Sequence, residues 1–205
     1  TQGYSSAASD VYKRQGYGNV NFENIFYSLP TILVLAFIIP LLTMRSFAEE
    51  RKNGTEQLLL TSPISITKIV IGKFIAALAI VVITEICTFM YFGILCHYGI
   101  PKLTTTFATL LGFLLFVMAY IAFGMLSSSI TENQIIAGII TIAFLVMTLF
   151  MQDLNSFFEN LSIMNFYSYF PRGVISLKEI IGLTSFTAMF ISFTIIVMQR
   201  RKLVK

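Results

Sequence analysis

The sequence predicts an all-α, polytopic helical membrane protein, and three features of the chain carry that prediction. Hydrophobic residues make up 56% of its 205 positions, and the mean hydropathy is +0.81. Charged residues make up only 12%, whereas soluble domains usually hold about a quarter. The apolar residues form five continuous runs. Each run is near the roughly 20 residues that a transmembrane helix needs, and none alternates as a barrel strand does.

The five predicted spans cover residues 25–43, 70–95, 104–126, 134–151 and 180–198. Lys and Arg residues set their orientation, because cytoplasmic loops carry an excess of them. They cluster after the first span and in the tail after the last span, whereas the opposite side holds Lys102, Arg172 and Lys178. Both clusters, and therefore the C-terminus, are predicted to be cytoplasmic. The same rule explains the basic residues without a nucleic-acid partner.

Residues 1–15 are predicted to be foreign to the native protein. Residues 5–15 read as the translation of an adapter used to prepare sequencing libraries, and they lack the apolar core of a signal peptide. The membrane domain is then expected to cover residues 16–205. Five spans with both basic clusters inside would leave Gly16 outside, so a sixth span is expected to precede it in the intact protein.

A charged stretch between the first two spans, residues 44–61, predicts two short helices. The first runs to Lys52, where Asn53-Gly54 is a typical helix stop. Thr55 is the predicted cap of the second helix, which begins at Glu56. One side of this pair is predicted to be apolar (Phe47, Leu58, Leu59, Leu60). Two interpretations are open: an amphipathic hairpin lying on lipid headgroups, or a docking element for a cytoplasmic protein.

Glu85 is the one ionisable residue near the middle of a predicted span. A carboxylate there costs about 2.5–3.5 kcal/mol on insertion scales, so such residues usually face the bundle interior and are often functional. The structural alternative is a Glu that is hydrogen-bonded to Thr84, to Thr88 or to another helix. A proton relay is disfavoured because no further Asp, Glu, Lys, Arg or His lies near the middle of a predicted span.

The remaining candidates for chemistry are few. His97 has no second histidine near it, so no metal site is expected. Cys87 and Cys96 lie roughly 13 Å apart along one predicted helix, which is too far for a disulfide. No nucleotide-binding loop and no hydrolase or protease motif occurs in the sequence, so the chain is not expected to be an enzyme.

The segment before the last span is rich in aromatic residues (Phe157, Phe158, Phe166, Tyr167, Tyr169, Phe170). An interfacial aromatic belt with a short re-entrant or surface helix is the favoured interpretation. An outer gate, or a docking surface for an external partner, is the functional alternative.

Two blocks of sequence resemble the permeases of ABC-2 type transporters. The first comprises Phe47-Ala48-Glu49-Glu50-Arg51, Gly54-Thr55-Glu56, the run from Leu58 to Ser65, and Gly72-Lys73-Phe74. The second is the run from Phe170 to Ile175 before the last span. The nearest branch includes the gliding-motility and nitrous-oxide-reductase maturation permeases. That family's six-span pattern agrees with the sixth span expected above.

The resemblance implies a permease subunit of an ATP-driven transporter in the bacterial plasma membrane, with an export direction. ATP and Mg²⁺ would then be bound by a separate ATPase subunit, with no cofactor or metal on this chain. Further implied partners are a second permease copy, the lipid bilayer and an extracytoplasmic accessory protein. The alternative is a membrane scaffold or sensor that recruits a cytoplasmic protein without moving a solute.

The resemblance also implies which residues do the work. The 44–61 segment would couple to the ATPase through Phe47, Glu49, Glu50, Arg51, Gly54, Thr55, Glu56 and Leu58. Phe47 and Leu58 would be the apolar anchors, and the charged residues would be the polar contacts. Glu85 and Arg172 are the candidates for the pathway or a gate.

Overall fold

The computed structural model describes residues 25–26, 28–98, 103–154 and 162–204, and this part of the chain is helical and contains no strand. The helices are α1 (Leu29–Thr43), α2 (Arg45–Lys52), α3 (Glu56–Thr61), α4 (Ile66–Tyr98), α5 (Leu103–Ile130), α6 (Gln134–Leu154), α7 (Ile163–Ser168) and α8 (Leu177–Val204). A short 3₁₀ helix, Phe170–Arg172, lies between α7 and α8. The predicted all-α fold is confirmed.

Five helical segments in the described residues are long and apolar enough to cross a membrane: Leu29–Lys52, Ile66–Ile94, Leu103–Ile130, Gln134–Met151 and Leu177–Leu203. They match the five predicted spans in order, although several extend further than predicted. Hydropathy marks the part of a helix that lipid can accept. Backbone hydrogen bonding does not stop there, so α4 and α8 continue through their flanking Lys and Arg residues.

Helix α5 is the centre of the bundle. Of the 18 consecutive residues that form its most apolar stretch, 56% are buried. The corresponding share is 17% for α4 and 22% for α8. It packs against α1, α4, α6 and α8, most extensively against α8. Phe123 of α5 stacks on Phe144 of α6 with ring centroids 3.7 Å apart, and Phe190 of α8 meets both rings edge-on. Such aromatic packing replaces the hydrophobic effect, which is weak between helices in lipid.

Two glycines of α5 permit close approach of neighbouring segments. A Cβ on Gly112 would lie 2.3 Å from the ring of Phe170, and one on Gly124 would lie 2.2 Å from the hydroxyl of Thr43. Small residues let helices approach each other in membranes. These positions therefore fix how α1 and the 3₁₀ helix lie on α5.

The aromatic segment before α8 is packed into the bundle. Tyr167 and Phe170 are fully buried, and Phe166 packs over Gly182 of α8. The predicted short helix is present as α7, but these two rings do not form a lipid-facing belt, because α5 and α8 leave a space that they fill. Phe157 and Phe158 lie outside the described residues.

Candidate functional site

The charged stretch folds as a helical hairpin, here defined as α2, the turn Asn53 to Thr55, and α3. Gly54 adopts a left-handed conformation, with φ of 73°, which ends α2 as its sequence predicts. The predicted capping role of Thr55 is wrong. Its backbone is helical, and its hydroxyl donates to the Glu50 carbonyl at 3.2 Å, so it satisfies the end of α2 instead of the start of α3.

The other end of α2 is capped by a residue from α5. The backbone amides of Phe47 and Ala48 donate to the Ser128 hydroxyl at 3.1 and 3.0 Å, and that hydroxyl donates to the Met44 carbonyl at 2.9 Å. The first amides of a helix lack partners within the helix, so a buried hydroxyl there is stabilising. Sequence analysis missed Ser128. The signal was the serine triplet that ends the third apolar run, at 127–129.

Three ion pairs attach the hairpin to the rest of the protein. Arg51 binds Glu132 of the α5–α6 loop at 2.6 Å, Glu50 binds Lys73 of α4 at 2.5 Å, and Glu56 binds Arg201 of α8 at 3.1 Å. The Glu56–Arg201 pair is the most buried of them, with side-chain exposures of 6% and 19%. Lys73 also donates to the Ser46 carbonyl and lies 4.5 Å from the centre of the Phe47 ring.

Two of these pairs converge on one backbone atom. The Ile130 carbonyl, at the C-terminal end of α5, accepts from Arg51 at 3.2 Å and from Arg201 at 3.3 Å. The last carbonyls of a helix lack intrahelical donors and carry partial negative charge, which favours cations there. The contacts place the hairpin, the α5–α6 loop and the C-terminal end of α8 at one end of the bundle, here called the basic end.

The predicted coupling residues therefore divide into two sets. Phe47 is 3% exposed, and Glu50, Arg51 and Glu56 contact other parts of the same chain. Glu49 is partly exposed. The exposed tip, here defined by its outward residues, comprises Lys52, Asn53, Gly54, Thr55, Gln57 and Leu58.

The predicted apolar side of the hairpin is not a single face. Leu58 is 75% exposed, whereas Leu60 is 6% exposed and packs in the core with Phe47. Successive residues of an α-helix are about 100° apart, so residues 58 and 60 cannot face the same way. Leu58 is left as an apolar side chain in the otherwise polar exposed tip.

Glu85 lies on the inward side of α4. It continues the helical spacing of the buried residues Val70, Phe74 and Ala77, and it is itself partly buried. The expected pairing with Thr84 or Thr88 is absent, because both hydroxyls donate to carbonyls of their own helix at 2.9 Å. One Glu85 oxygen, Oε1, is buried and has no hydrogen-bond partner in the described part of the chain.

Glu179 is a second inward carboxylate, which sequence analysis missed. It lies in the first turn of α8 and is 6% exposed, and its Oε2 has no hydrogen-bond partner among the described residues. Glu179 lies just before the last predicted span, where charged residues that flank a span are common. Its sequence position therefore does not indicate that it is buried. Arg172, the other gate candidate, is exposed on the 3₁₀ helix. The structure shows no ion pair between Arg172 and Glu179.

The described residues contain no group of three or more His, Cys, Asp or Glu that could hold a metal ion. Cys87 and Cys96 are free thiols and both are exposed. The side chain of His97 lies outside the described residues. The described ion pairs all hold the hairpin to the rest of the chain, and the basic end is the candidate functional site.

A family model described as ABC-2 family transporter protein matches residues 2–199 of the chain. No curated protein and no solved structure matches it.

Proposed function

Since this chain belongs to the ABC-2 family of transporter proteins and is a multi-pass permease subunit, we propose that it couples to a separate ABC ATPase through its helical hairpin. ATP and Mg²⁺ would bind to that ATPase. The permease would act as an exporter in the bacterial plasma membrane, paired with a second permease copy. The basic end, including the C-terminus, would face the cytoplasm, in accord with the positive-inside rule.

The observation that carries this proposal is the way the hairpin is held. Three ion pairs made by residues beside its turn, together with the Ser128 cap at the start of α2, fix it to α4, α5, α8 and the α5–α6 loop, while the residues of its exposed tip remain accessible. A partner that pulled or pushed on the tip would therefore move several membrane helices together. A mobile loop could bind the same partner but would transmit little force.

The surface available to the ATPase follows from exposure. Glu50 and Glu56 are engaged within the chain, so Leu58 and Lys52 are the stronger candidates for direct contacts. A few residues that become fully buried in a pocket on binding usually carry most of an interface's affinity. The complementary groove would thus offer an apolar pocket for Leu58 and an acidic group for Lys52.

The test is capture of a co-expressed ABC ATPase from the same genome, after purification in detergent. Leu58→Asp should lower captured ATPase at least tenfold, because it places a charge in the pocket. The matched control is Leu203→Asp, since Leu203 is a leucine at the same end of the bundle that is at least as exposed as Leu58, 85% against 75%. Capture by Leu203→Asp should stay within twofold of wild type.

Failure of the well-folded wild type to capture the ATPase would refute the coupling proposal. Equal loss from both leucine variants would refute the assignment of the docking surface to the exposed tip.

A further inference from the structure

Helix α8 contacts the hairpin although no short stretch of chain joins the two. Arg201 lies 145 residues from Glu56 in sequence, and its two terminal nitrogens contact Glu56 Oε1 at 3.1 Å and the Ile130 carbonyl at 3.3 Å. One guanidinium therefore joins α3, α5 and α8. The planar fork of Arg can bind two acceptors at once, which the single ammonium of Lys does less well.

The rest of α8 is suited to carrying a displacement along its length. It is a continuous helix from Leu177 to Val204 without an internal proline, so it spans roughly 42 Å at 1.5 Å per residue. Its buried side runs through Leu183, Thr187, Phe190, Thr194 and Met198. At its far end, Gly182 lies directly under the Phe166 ring of the aromatic segment.

Helix α4 is also attached to the hairpin by an ion pair, but it packs differently on the rest of the bundle. The α4 helix follows the hairpin in sequence and bonds to it through Lys73, and its most apolar stretch is about as little buried as that of α8, 17% against 22%. Helix α8 packs along α5 more extensively than α4 does. A movement of the hairpin would then displace the α5–α8 pair as one unit, relative to α4, which packs less extensively on α5.

We propose that Arg201 is the positioning residue that transmits hairpin movement to α8, and through α8 to the aromatic segment at the opposite end. This inference rests on the proposed coupling to an ATPase. It assigns Glu56 and Arg201 to transmission within the permease, and it leaves ATPase binding to the exposed tip. Loss of the pair should therefore uncouple the far end without releasing the ATPase.

The experiment measures a distance within the full-length permease in its ATPase complex. Spin labels are placed at Ile94→Cys on α4 and Leu177→Cys on α8, in a Cys87→Ser, Cys96→Ser background, because both native thiols are exposed. Dilution with unlabelled permease keeps each distance within one chain. The 94–177 distance is compared without nucleotide and after trapping with ATP and vanadate.

The variant is Arg201→Glu, and the matched control is Arg200→Glu, which makes the same charge change at the exposed neighbouring residue. Arg201→Glu should capture the ATPase within twofold of wild type and lose at least four-fifths of the nucleotide-dependent distance change. Arg200→Glu should keep it. The charge exchange Glu56→Arg with Arg201→Glu should restore at least half.

A wild type that captures the ATPase but shows no nucleotide-dependent change in the 94–177 distance overturns the inference. An equal distance change in the Arg201→Glu and Arg200→Glu variants overturns the inference, as does a folded charge exchange that restores nothing. Loss of ATPase capture in Arg201→Glu alone also overturns it, because Arg201 would then serve docking. If the wild type itself captures no ATPase, the proposed function fails and the inference fails with it. Should Arg201→Glu not fold, Arg201→Gln against Arg200→Gln makes the same comparison.

Discussion

Glu56 and Glu85 are both withdrawn from solvent, yet their surroundings differ. Glu56 has a guanidinium 3.1 Å away, whereas Glu85 Oε1 has no hydrogen-bond partner in the described part of the chain. A buried carboxylate without a donor or cation is costly for folding. Residues that reduce stability in this way are commonly retained for function. The contrast supports Glu85 as a pathway residue and Glu56 as an attachment.

Matched substitutions to glutamine should separate these two roles. Glu56→Gln should destabilise the permease by about 2 kcal/mol, because it weakens a buried charged hydrogen bond and leaves Arg201 without its counter-charge. Glu85→Gln should leave stability unchanged or raise it. Thermal unfolding of both purified variants in detergent measures this. A loss of stability in Glu85→Gln as large as that in Glu56→Gln would instead indicate a structural partner for Glu85.

The burial of Glu85 could be predicted from the sequence, whereas the partner of Glu56 could not. Glu85 was identifiable because a lone carboxylate interrupts an apolar run. The partner of Glu56 was not identifiable, because a contact across 145 residues depends on how α3, α5 and α8 pack. Phe47 and Leu58 were both predicted as apolar anchors for the ATPase, but only the fold shows that Phe47 is buried within the permease and Leu58 is exposed.

Among the elements, the hairpin was predicted most accurately. Its second helix has the expected bounds, Glu56–Thr61, and Gly54 ends the first helix. These features depend on residues close together in sequence. The cap of α2 comes instead from Ser128, about 80 residues away, and local sequence around α2 does not contain it. The Thr55 cap failed because that residue's helical backbone does not suit a side-chain cap.

The Ser128 cap can be tested against its neighbour. Ser128→Ala removes the acceptor of two buried amides and should cost about 1–2 kcal/mol. That corresponds to a fall of roughly 2–8 °C in unfolding temperature for a chain of this size. Ser129→Ala is the control, since Ser129 is also fully buried but donates only to a carbonyl of its own helix. Proteolysis within the hairpin should increase in Ser128→Ala.

The Ser129→Ala variant should unfold within about 2 °C of wild type by the same scaling. Equal unfolding temperatures for both serine variants would show that Ser128 does not hold α2 in place.

For the whole molecule, hydropathy predicted the number and order of the spans because lipid accepts only helices with satisfied backbones. It could not identify the central helix. The five spans have similar mean hydropathies, between 2.0 and 2.4, yet their buried shares range from 17% to 56%. Small residues do not identify it either: Gly112 and Gly124 of α5 lie against Phe170 and Thr43, whereas a Cβ on Gly72 or Gly93 of α4 would meet nothing within 4 Å. Hydropathy alone does not distinguish residues that contact lipid from residues that contact other helices.

The orientation of the whole bundle gives the last prediction. Arg51, Lys73 and Arg201 form ion pairs at the basic end, which also carries the exposed Lys52 and Arg200. The opposite end of the described chain carries Arg172 and Lys178. Cytoplasmic loops are the ones enriched in Lys and Arg. The exposed tip is therefore expected inside the cell, and the loop after the 3₁₀ helix outside it.

Single cysteines can test this orientation in a Cys87→Ser, Cys96→Ser background. Asn53→Cys should react with a membrane-impermeant maleimide only in inverted vesicles, and Val174→Cys only in intact cells. Both positions are exposed in the fold, so both variants should react once detergent removes the membrane. The opposite pattern would place the hairpin outside the cell, away from ATP, and no ATPase could then act on it. Orientation thus decides whether the attachments at the basic end can serve transport at all.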